Sequence, residues 1–307
     1  MSATRPRPVE GERGLASHDP QALAGRLTGA WNSFLALAES VDLDAPSRLA
    51  GWRAREVLVH LGTWPGHSSL QRVCDDARHG IDRPDLRQRD LNSAIFADHL
   101  DAPRSEVIAA LERARDDSVG FVTSPEAEAL GRRPVRSVLG PLPALSLVTA
   151  ATYELAVHAL DLAPAGAPRP APELLDTGLA AVVDVTAALA AREGIEASMA
   201  ALTPEGGWVF SVVGSDWTTM PAVPAERGAL PGVEAPAAVL LDVAAGRVAA
   251  PPLVLNRTLR LQRLGGLLAL TPLIDKVPGL PGGAMLRLAA RSLGGVNRLV
   301  RRLPLFG

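Results

Sequence analysis

Residues 142–163 read LPALSLVTAATYELAVHALDLA, an apolar segment that predicts a helix ending at Pro164. Within this helix Glu154 and His158 are four residues apart, so both side chains project from one face, about a turn from each other. A carboxylate inside an apolar helix needs a partner or an ion, because burying an unpaired charge is costly. The pair therefore suggests chelation of a metal ion, although glutamate and histidine at this spacing also occur as ordinary neighbours on a helix surface.

Three helical patterns precede this segment and complete a predicted four-helix bundle. Apolar residues recur every three or four positions from Pro20 to about Ser40, and again between Val57 and Trp64. A third region ends with SEVIAALERARDDSVGFV at residues 105–122, where Ser105 is the expected N-cap. Modest loops join the four helices, which is typical of a bundle.

Beyond the bundle the hydrophobic period shortens, which indicates strands. A helical pattern at 172–193 is followed by short apolar runs at 195–202 and 208–213, separated by TPEGG, the composition of a hairpin turn. The segment APAAVLLDVAAGRV at 235–248 is helical again, and LVLNRTLRLQRL at 253–264 alternates as a strand does. This part of the chain is therefore predicted to be a smaller domain of helices and a sheet.

The predicted fold class is α plus α/β, with two domains. The length of 307 residues agrees, since a domain takes roughly 150 residues. In chain order the predicted parts are a disordered tail at 1–19, a bundle at 20–164, a linker at 165–171 (AGAPRPA) and an α+β domain at 172–307.

Composition excludes several classes of protein. Basic and acidic residues number 31 and 33, so no global positive field favours nucleic acid as a partner. The single cysteine, Cys74, excludes an internal disulfide and a site with several thiolate ligands, and a reducing, cytoplasmic setting fits it. The sequence also lacks GxSxG, GxxxxGK[ST], GxGxxG and HExxH, which excludes the enzyme classes that those motifs mark.

The C-terminal region raises the question of membrane contact. Its longest uncharged apolar stretch, 264–274, is shorter than the roughly 18 to 20 residues that cross a bilayer, so no transmembrane segment is expected there. After Asp275 the chain carries one lysine, five arginines and no acidic residue. A core helix with a solvated basic face is the ordinary interpretation, and peripheral contact with an anionic membrane is the alternative.

A second candidate metal ligand, His60, lies in EVLVHLGTW on the second predicted helix. A lone histidine on an apolar face is most often a satisfied core residue. Together with Glu154 and His158, however, it gives two imidazoles and one carboxylate on two helices of one bundle. That is the ligand set of a catalytic zinc site with an open position for water or substrate.

Other polar residues near these three are weaker candidates for the metal site. His67, seven residues after His60, is the main competitor for a ligand role. Glu56 and Asp161 are candidates to orient the ligand imidazoles, with solvated surface carboxylates as the more common interpretation of both. No role is assigned to the histidines in polar contexts, His18, His79 and His99.

Two strings, DLDAPSRLAGWRAREVLVHLGTW at 42–64 and YELAVHALDLA at 153–163, resemble the mycothiol-dependent maleylpyruvate isomerase family, within the DinB-like superfamily. The family pattern joins a turn containing tryptophan to a helix with one ligand histidine, and then to a distant E-x-x-x-H. This sequence supplies those positions in the same order, as Trp52, His60, Glu154 and His158. The resemblance implies that the last three hold the metal.

The resemblance extends, more loosely, to the C-terminal part. Residues 208–306 are similar to a sterol-carrier-like domain, which is the second domain of this family, and Arg247 in AAGR is the candidate for its catalytic arginine. The sequence departs from the family pattern at Glu56, where aspartate is usual. It also departs at 267–295, which looks like an apolar insertion and favours an acceptor other than the family's namesake substrate.

The resemblance implies a zinc enzyme that uses mycothiol as its thiol cosubstrate. Coordination to zinc removes the proton of a thiol near neutral pH, and the metal-bound thiolate attacks an electrophilic carbon. The product is a thiol conjugate or, if the thiol is later expelled, a cis–trans isomer. Cys74 lies outside the ligand set, so the sulfur comes from a small molecule.

Two functions of other classes stay open. One is a carrier of an apolar ligand with a structural or vestigial metal, which the apolar insertion favours. The other is a metal-stabilised interaction protein without catalysis.

Overall fold

A computed structural model of the chain describes residues 7–80, 88–223 and 228–277. Its α-helices are α1 Pro20–Ser40, α2 Ala54–Leu61, α3 Ser69–His79, α4 Gln88–His99, α5 Arg104–Val122, α6 Pro125–Leu130, α7 Ala144–Asp161, α8 Pro172–Arg192, α9 Ala237–Ala244, α10 Ala250–Leu255, α11 Leu264–Leu267 and α12 Thr271–Lys276. Short 3₁₀ helices are Gly14–Ser17, Ala163–Ala165 and Leu268–Leu270. The strands are β1 Pro134–Val135, β2 Leu142–Pro143, β3 Ser198–Leu202, β4 Gly207–Val213, β5 Asp216–Pro221, β6 Gly232–Glu234 and β7 Arg260–Gln262.

The predicted four-helix bundle is confirmed, and it consists of α1, α2, α5 and α7. Its helices bury the apolar stripes seen in the sequence, with Phe34, Leu58, Leu111 and Leu155 fully buried in one core. Helix α5 begins one residue before Ser105, which is therefore not its cap. Helices α3, α4 and α6 lie in the polar connections between the bundle helices, and the sequence pattern did not reveal them.

The C-terminal part contains a five-stranded sheet with strand order β5-β4-β3-β6-β7. The hairpin predicted around TPEGG is confirmed, because β3 and β4 pair antiparallel with Leu202 opposite Gly207. The strand predicted over 253–264 is largely wrong, since only Arg260–Gln262 pairs with β6 and α10 occupies its start. The proline pair at 251–252 lies in the first turn of α10. Backbone N–H groups in the first turn have no partner within the helix, so their absence costs little.

Helix α8 packs on both the bundle and the sheet. It lies against α7 so closely that a Cβ at Gly178 would come within 2.4 Å of the Ala156 Cβ. Its other side covers β4 and β5. Residues 165–171 thus lead directly into a helix shared by both parts, and the domain boundary there stays a prediction. Because the two parts share α8, residues from both can meet at one site.

Of the described residues, α8 alone is long and apolar enough to cross a membrane, and 83% of its most apolar window is buried inside the protein. The five arginines after Asp275 and most of the apolar segment 267–295 fall outside the described residues, whereas Lys276 lies in the last turn of α12.

The prediction of a disordered tail at 1–19 is wrong for the segment around Gly14–Ser17. Here the buried Asp184 carboxylate of α8 accepts hydrogen bonds through Oδ1 from the Leu15 amide at 3.0 Å, the Trp217 indole at 3.0 Å and the Thr219 hydroxyl at 2.8 Å. Composition could not reveal this, because the partners of the segment, Asp184 among them, are more than 160 residues away.

Replacing Asp184 with alanine is expected to lower the free energy of unfolding by about 2–4 kcal/mol, since three buried donors lose their acceptor. Burial raises the pKa of Asp184, so its charge is itself costly and Asp184→Asn should lose less than Asp184→Ala. Urea denaturation would measure both, with Asp116→Ala on the surface of α5 as control. Equal stability of Asp184→Ala and wild type would show that the network does not hold the segment.

Candidate metal centre

Helices α2 and α7 bring His60, Glu154 and His158 to a common point. Each offers a ligand atom, and these atoms all lie within 4.8 Å of one another. The two imidazole rings are 5.4 Å apart at 83°, and His158 Nε2 is 3.4 Å from Glu154 Oε2. Two imidazoles and one carboxylate this close fit a divalent ion such as Zn²⁺, which would keep an open position for a further ligand.

Asp161 orients His158 from the opposite side of the ring. Its carboxylate is fully buried and accepts a hydrogen bond from His158 Nδ1 at 3.0 Å, which leaves Nε2 facing Glu154. The Arg247 guanidinium donates two bonds of 3.0 Å to the same carboxylate, through Nε and Nη2. Arg247 follows α9 in the C-terminal part, so both parts of the chain contribute to this centre.

His60 is oriented by a residue that sequence reasoning missed. Its Nδ1 lies 3.1 Å from Asn92 Oδ1 on α4, and its ring meets the Trp52 ring edge-on at 5.7 Å. The role predicted for Glu56 is wrong. Glu56 instead accepts from the Arg53 amide at 2.9 Å and pairs with its guanidinium, because it stands in the first turn of α2 and caps that helix.

The pKa values of the two imidazoles are shifted in opposite directions. Burial, and then the charge on His158, lowers the pKa of His60 to about 4, so this ring is neutral at neutral pH. Burial opposes the charge on His158 as well, but its hydrogen bonds to Asp161 and Glu154 outweigh that effect and raise its pKa. Withdrawal from solvent would likewise raise the pKa of Glu154, yet its hydrogen bond to His158 brings it below its ordinary value. A metal ion that binds His158 would therefore compete with a proton that the hydrogen bonds to Asp161 and Glu154 favour.

The three residues line a cavity of about 1060 Å³. The Glu154 side chain is 51% exposed and lines this space, so its carboxylate is reachable from the cavity. Most of the wall is apolar, and among its charged residues are Arg72, Asp76 and Arg136. Arg136 is neutralised by Asp76 through bonds of 2.8 and 3.1 Å. The volume lies at the upper end of the roughly 300–1,000 Å³ typical of small-molecule sites, so two small ligands have room there.

Residues 10–163 match the sequence model of the family described as the mycothiol maleylpyruvate isomerase N-terminal domain. The chain belongs to this family. The matched range covers the bundle and all three candidate ligands, and the resemblance seen in the sequence is thereby confirmed. The match ends at residue 163, so the likeness of the C-terminal part to a sterol-carrier domain stays a prediction.

Two solved structures are similar to the chain. They are crystal structures of the mycothiol-dependent maleylpyruvate isomerase and of a histidine-to-alanine mutant of it. Each is 18% identical, with a TM-score of 0.47, and the alignment covers 76% of this chain and 92% of that one. The comparison with curated proteins gives no match.

In this family member, His67 lies apart from the candidate ligands. The sequence made it the main competitor of His60, but its Nε2 lies 2.9 Å from Asp98 Oδ2, next to His99 on α4. His67 would lie two turns from His60 on the same face if the helix continued. Helix α2 ends at Leu61, however, so the spacing of seven residues does not bring them together.

Proposed function

We propose that this protein is a zinc-dependent enzyme that uses a small thiol, mycothiol, to form a conjugate with an electrophilic substrate or to isomerise it. The observation that carries the proposal is the convergence of His60, Glu154 and His158 within 4.8 Å in the wall of a large cavity. The family's name supports mycothiol as the thiol and isomerisation as one outcome.

The proposed ligands of the ion are His60, Glu154 and His158. A zinc ion bound there would lower the pKa of a coordinating thiol, so that thiolate is available at neutral pH. Asp161 and Asn92 each hold the Nδ1 side of one imidazole and so direct its other nitrogen toward the ion. Arg247 holds Asp161 and lines the cavity, so it keeps in place the acid that orients His158.

The chain's own thiol does not suit the role of nucleophile. Cys74 is buried among apolar residues of α1, α3 and α7, and burial raises its pKa, so it stays protonated at neutral pH. We therefore assign the thiolate to a diffusible cosubstrate. Such a reaction needs a reducing compartment, and the cytoplasm is the proposed location.

A carrier of an apolar ligand, with a structural metal, is the second candidate. The observation that favours it is the mainly apolar wall of the cavity, which includes Leu70, Leu91 and Val138.

One experiment separates these two functions. Purified protein is analysed for metal content and bound lipid, then incubated with mycothiol and a panel of electrophiles that includes maleylpyruvate, and products are identified by mass spectrometry. Bound zinc, with conjugates or isomers that disappear on chelation and return with zinc, is expected from the enzyme. A co-purifying apolar molecule with no turnover on any electrophile would contradict the enzyme and support the carrier.

A further inference from the structure

A second group of metal-ligating side chains lies outside the centre described above. His67 is in the turn between α2 and α3, and Asp98 and His99 are in the last turn of α4. One ligand atom from each lies within 4.8 Å of the others. His67 Nε2 is 2.9 Å from Asp98 Oδ2, and the two imidazole rings are 5.7 Å apart at 84°.

One ring nitrogen of His99 lacks a hydrogen-bond partner among the described residues. Its Nε2 is buried and makes no hydrogen bond within the described part of the chain. The ring is fixed by stacking on Trp64 at a centroid distance of 4.4 Å and an angle of 11°, while the Trp64 indole N–H is donated to the Val59 carbonyl. A buried imidazole nitrogen without a partner is costly, and a metal ion is one group that would satisfy it.

We propose that His67, Asp98 and His99 form a second divalent metal site, selective for Zn²⁺ and similar transition ions. Two imidazoles and one carboxylate favour these ions over Ca²⁺ and Mg²⁺, which take mainly oxygen ligands. Asp98 is 59% exposed, so an ion reaches the site from solvent without passing through the cavity. None of the three residues belongs to the first centre.

The second site has a structural consequence for the first. Helix α4 carries Asn92, which bonds His60, and Phe96, which packs edge-on against Trp52 at 5.1 Å. An ion that joins the end of α4 to the turn after α2 would fix the helix that orients His60. The second site is therefore a clamp on α4, and its residues are positioning residues rather than catalytic ones.

The test uses full-length protein stripped of metal and titrated with Zn²⁺ and, separately, Co²⁺. In a His158→Ala background the second site is the one that remains of the two groups found among the described residues, and it should bind about one equivalent of zinc. Adding His67→Ala or Asp98→Asn should abolish that binding and the visible cobalt bands. Both substituted side chains are partly exposed, and the turn at His67 is held by backbone bonds to Trp64, so neither change endangers folding.

The matched control is His79→Ala in the same background, because His79 is an exposed histidine on α3 whose Nδ1 bonds the Asp75 carbonyl and which lies outside both candidate sites. It should leave zinc binding unchanged. The proposal is overturned if His158→Ala binds no zinc, or if binding persists when His67 and Asp98 are both replaced. Either result leaves the first centre untouched, since product formation there is assayed separately in protein that keeps His67, Asp98 and His158.

Discussion

His158→Ala is expected to abolish zinc binding at the centre formed with His60 and Glu154. Loss of a residue that orients a metal ligand costs roughly 10–100-fold in activity. Thiol-dependent turnover should fall by more than this in His158→Ala, since here a ligand itself is lost. Two donors remain, and Glu154 loses the imidazole that lies 3.4 Å away. Asp161 keeps its two bonds to Arg247, so the fold around the site should survive.

Zinc content should be measured in protein that also carries His67→Ala, so that zinc at the second site is not counted, and product formation should be measured in protein that keeps His67. Glu154→Gln is the conservative companion, because it keeps the shape of the side chain and removes its charge. His79→Ala again serves as control, with wild-type values expected. Turnover at the wild-type level in His158→Ala would remove the basis for the proposed enzyme.

The convergence of His60, Glu154 and His158 could be predicted from the sequence, because the pattern that places each candidate ligand is local to its helix. Glu154 and His158 are one turn apart on an unambiguous apolar helix, and His60 lies on a second one. Each helix exposes its ligands on the side that faces the bundle interior, so a correct bundle already brings them close. The apolar periodicity of α1, α2, α5 and α7 was enough to predict that bundle.

The partners of the ligands were harder to predict, because they depend on contacts between distant elements. Asn92 lies in a polar segment without a motif, and nothing in its neighbours points to His60, 32 residues away. Glu56 lies one turn before His60 in the sequence. An acid in the first turn of a helix favours capping, however, and Glu56 caps α2 instead of contacting His60. The short strand β6 has three residues, too few for an alternating pattern to stand out.

Asp161→Asn is expected to weaken zinc binding about 10–100-fold without removing a ligand. The buried Asp161 carboxylate fixes the tautomer of His158 and neutralises Arg247, and an amide can do only part of either task. Asp161→Ala should add a loss of up to about 3 kcal/mol in stability, because a buried charged acceptor disappears. The Arg247 side chain is 26% exposed, so water solvates its guanidinium once the carboxylate is gone and reduces this loss of stability.

A pH titration separates orientation of His158 from a merely structural role of Asp161. Burial opposes the charge on His158, and the hydrogen bond to Asp161 is the largest effect that raises its pKa. The hydrogen bond to Asp161 therefore stabilises the folded, metal-free protein at pH values below the pKa that histidine has in the unfolded chain. This stabilisation is lost as the pH rises through the higher pKa of His158 in the folded protein. In Asp161→Asn the pKa of His158, followed by NMR in metal-free protein, should fall, while Arg247→Lys should change it less because the acid remains.

The two readouts should change together if Asp161 acts through His158. A lower pKa means less competition from the proton, which by itself would strengthen zinc binding at low pH. Weaker binding despite that gain would come from lost orientation or lost basicity of the imidazole, together with the loss of a negative charge near the ion. If Asp161→Asn lowers the pKa of His158 and leaves zinc affinity at pH 8 unchanged, then the buried acid serves the fold alone, and the Arg247 contact has no part in preparing the centre.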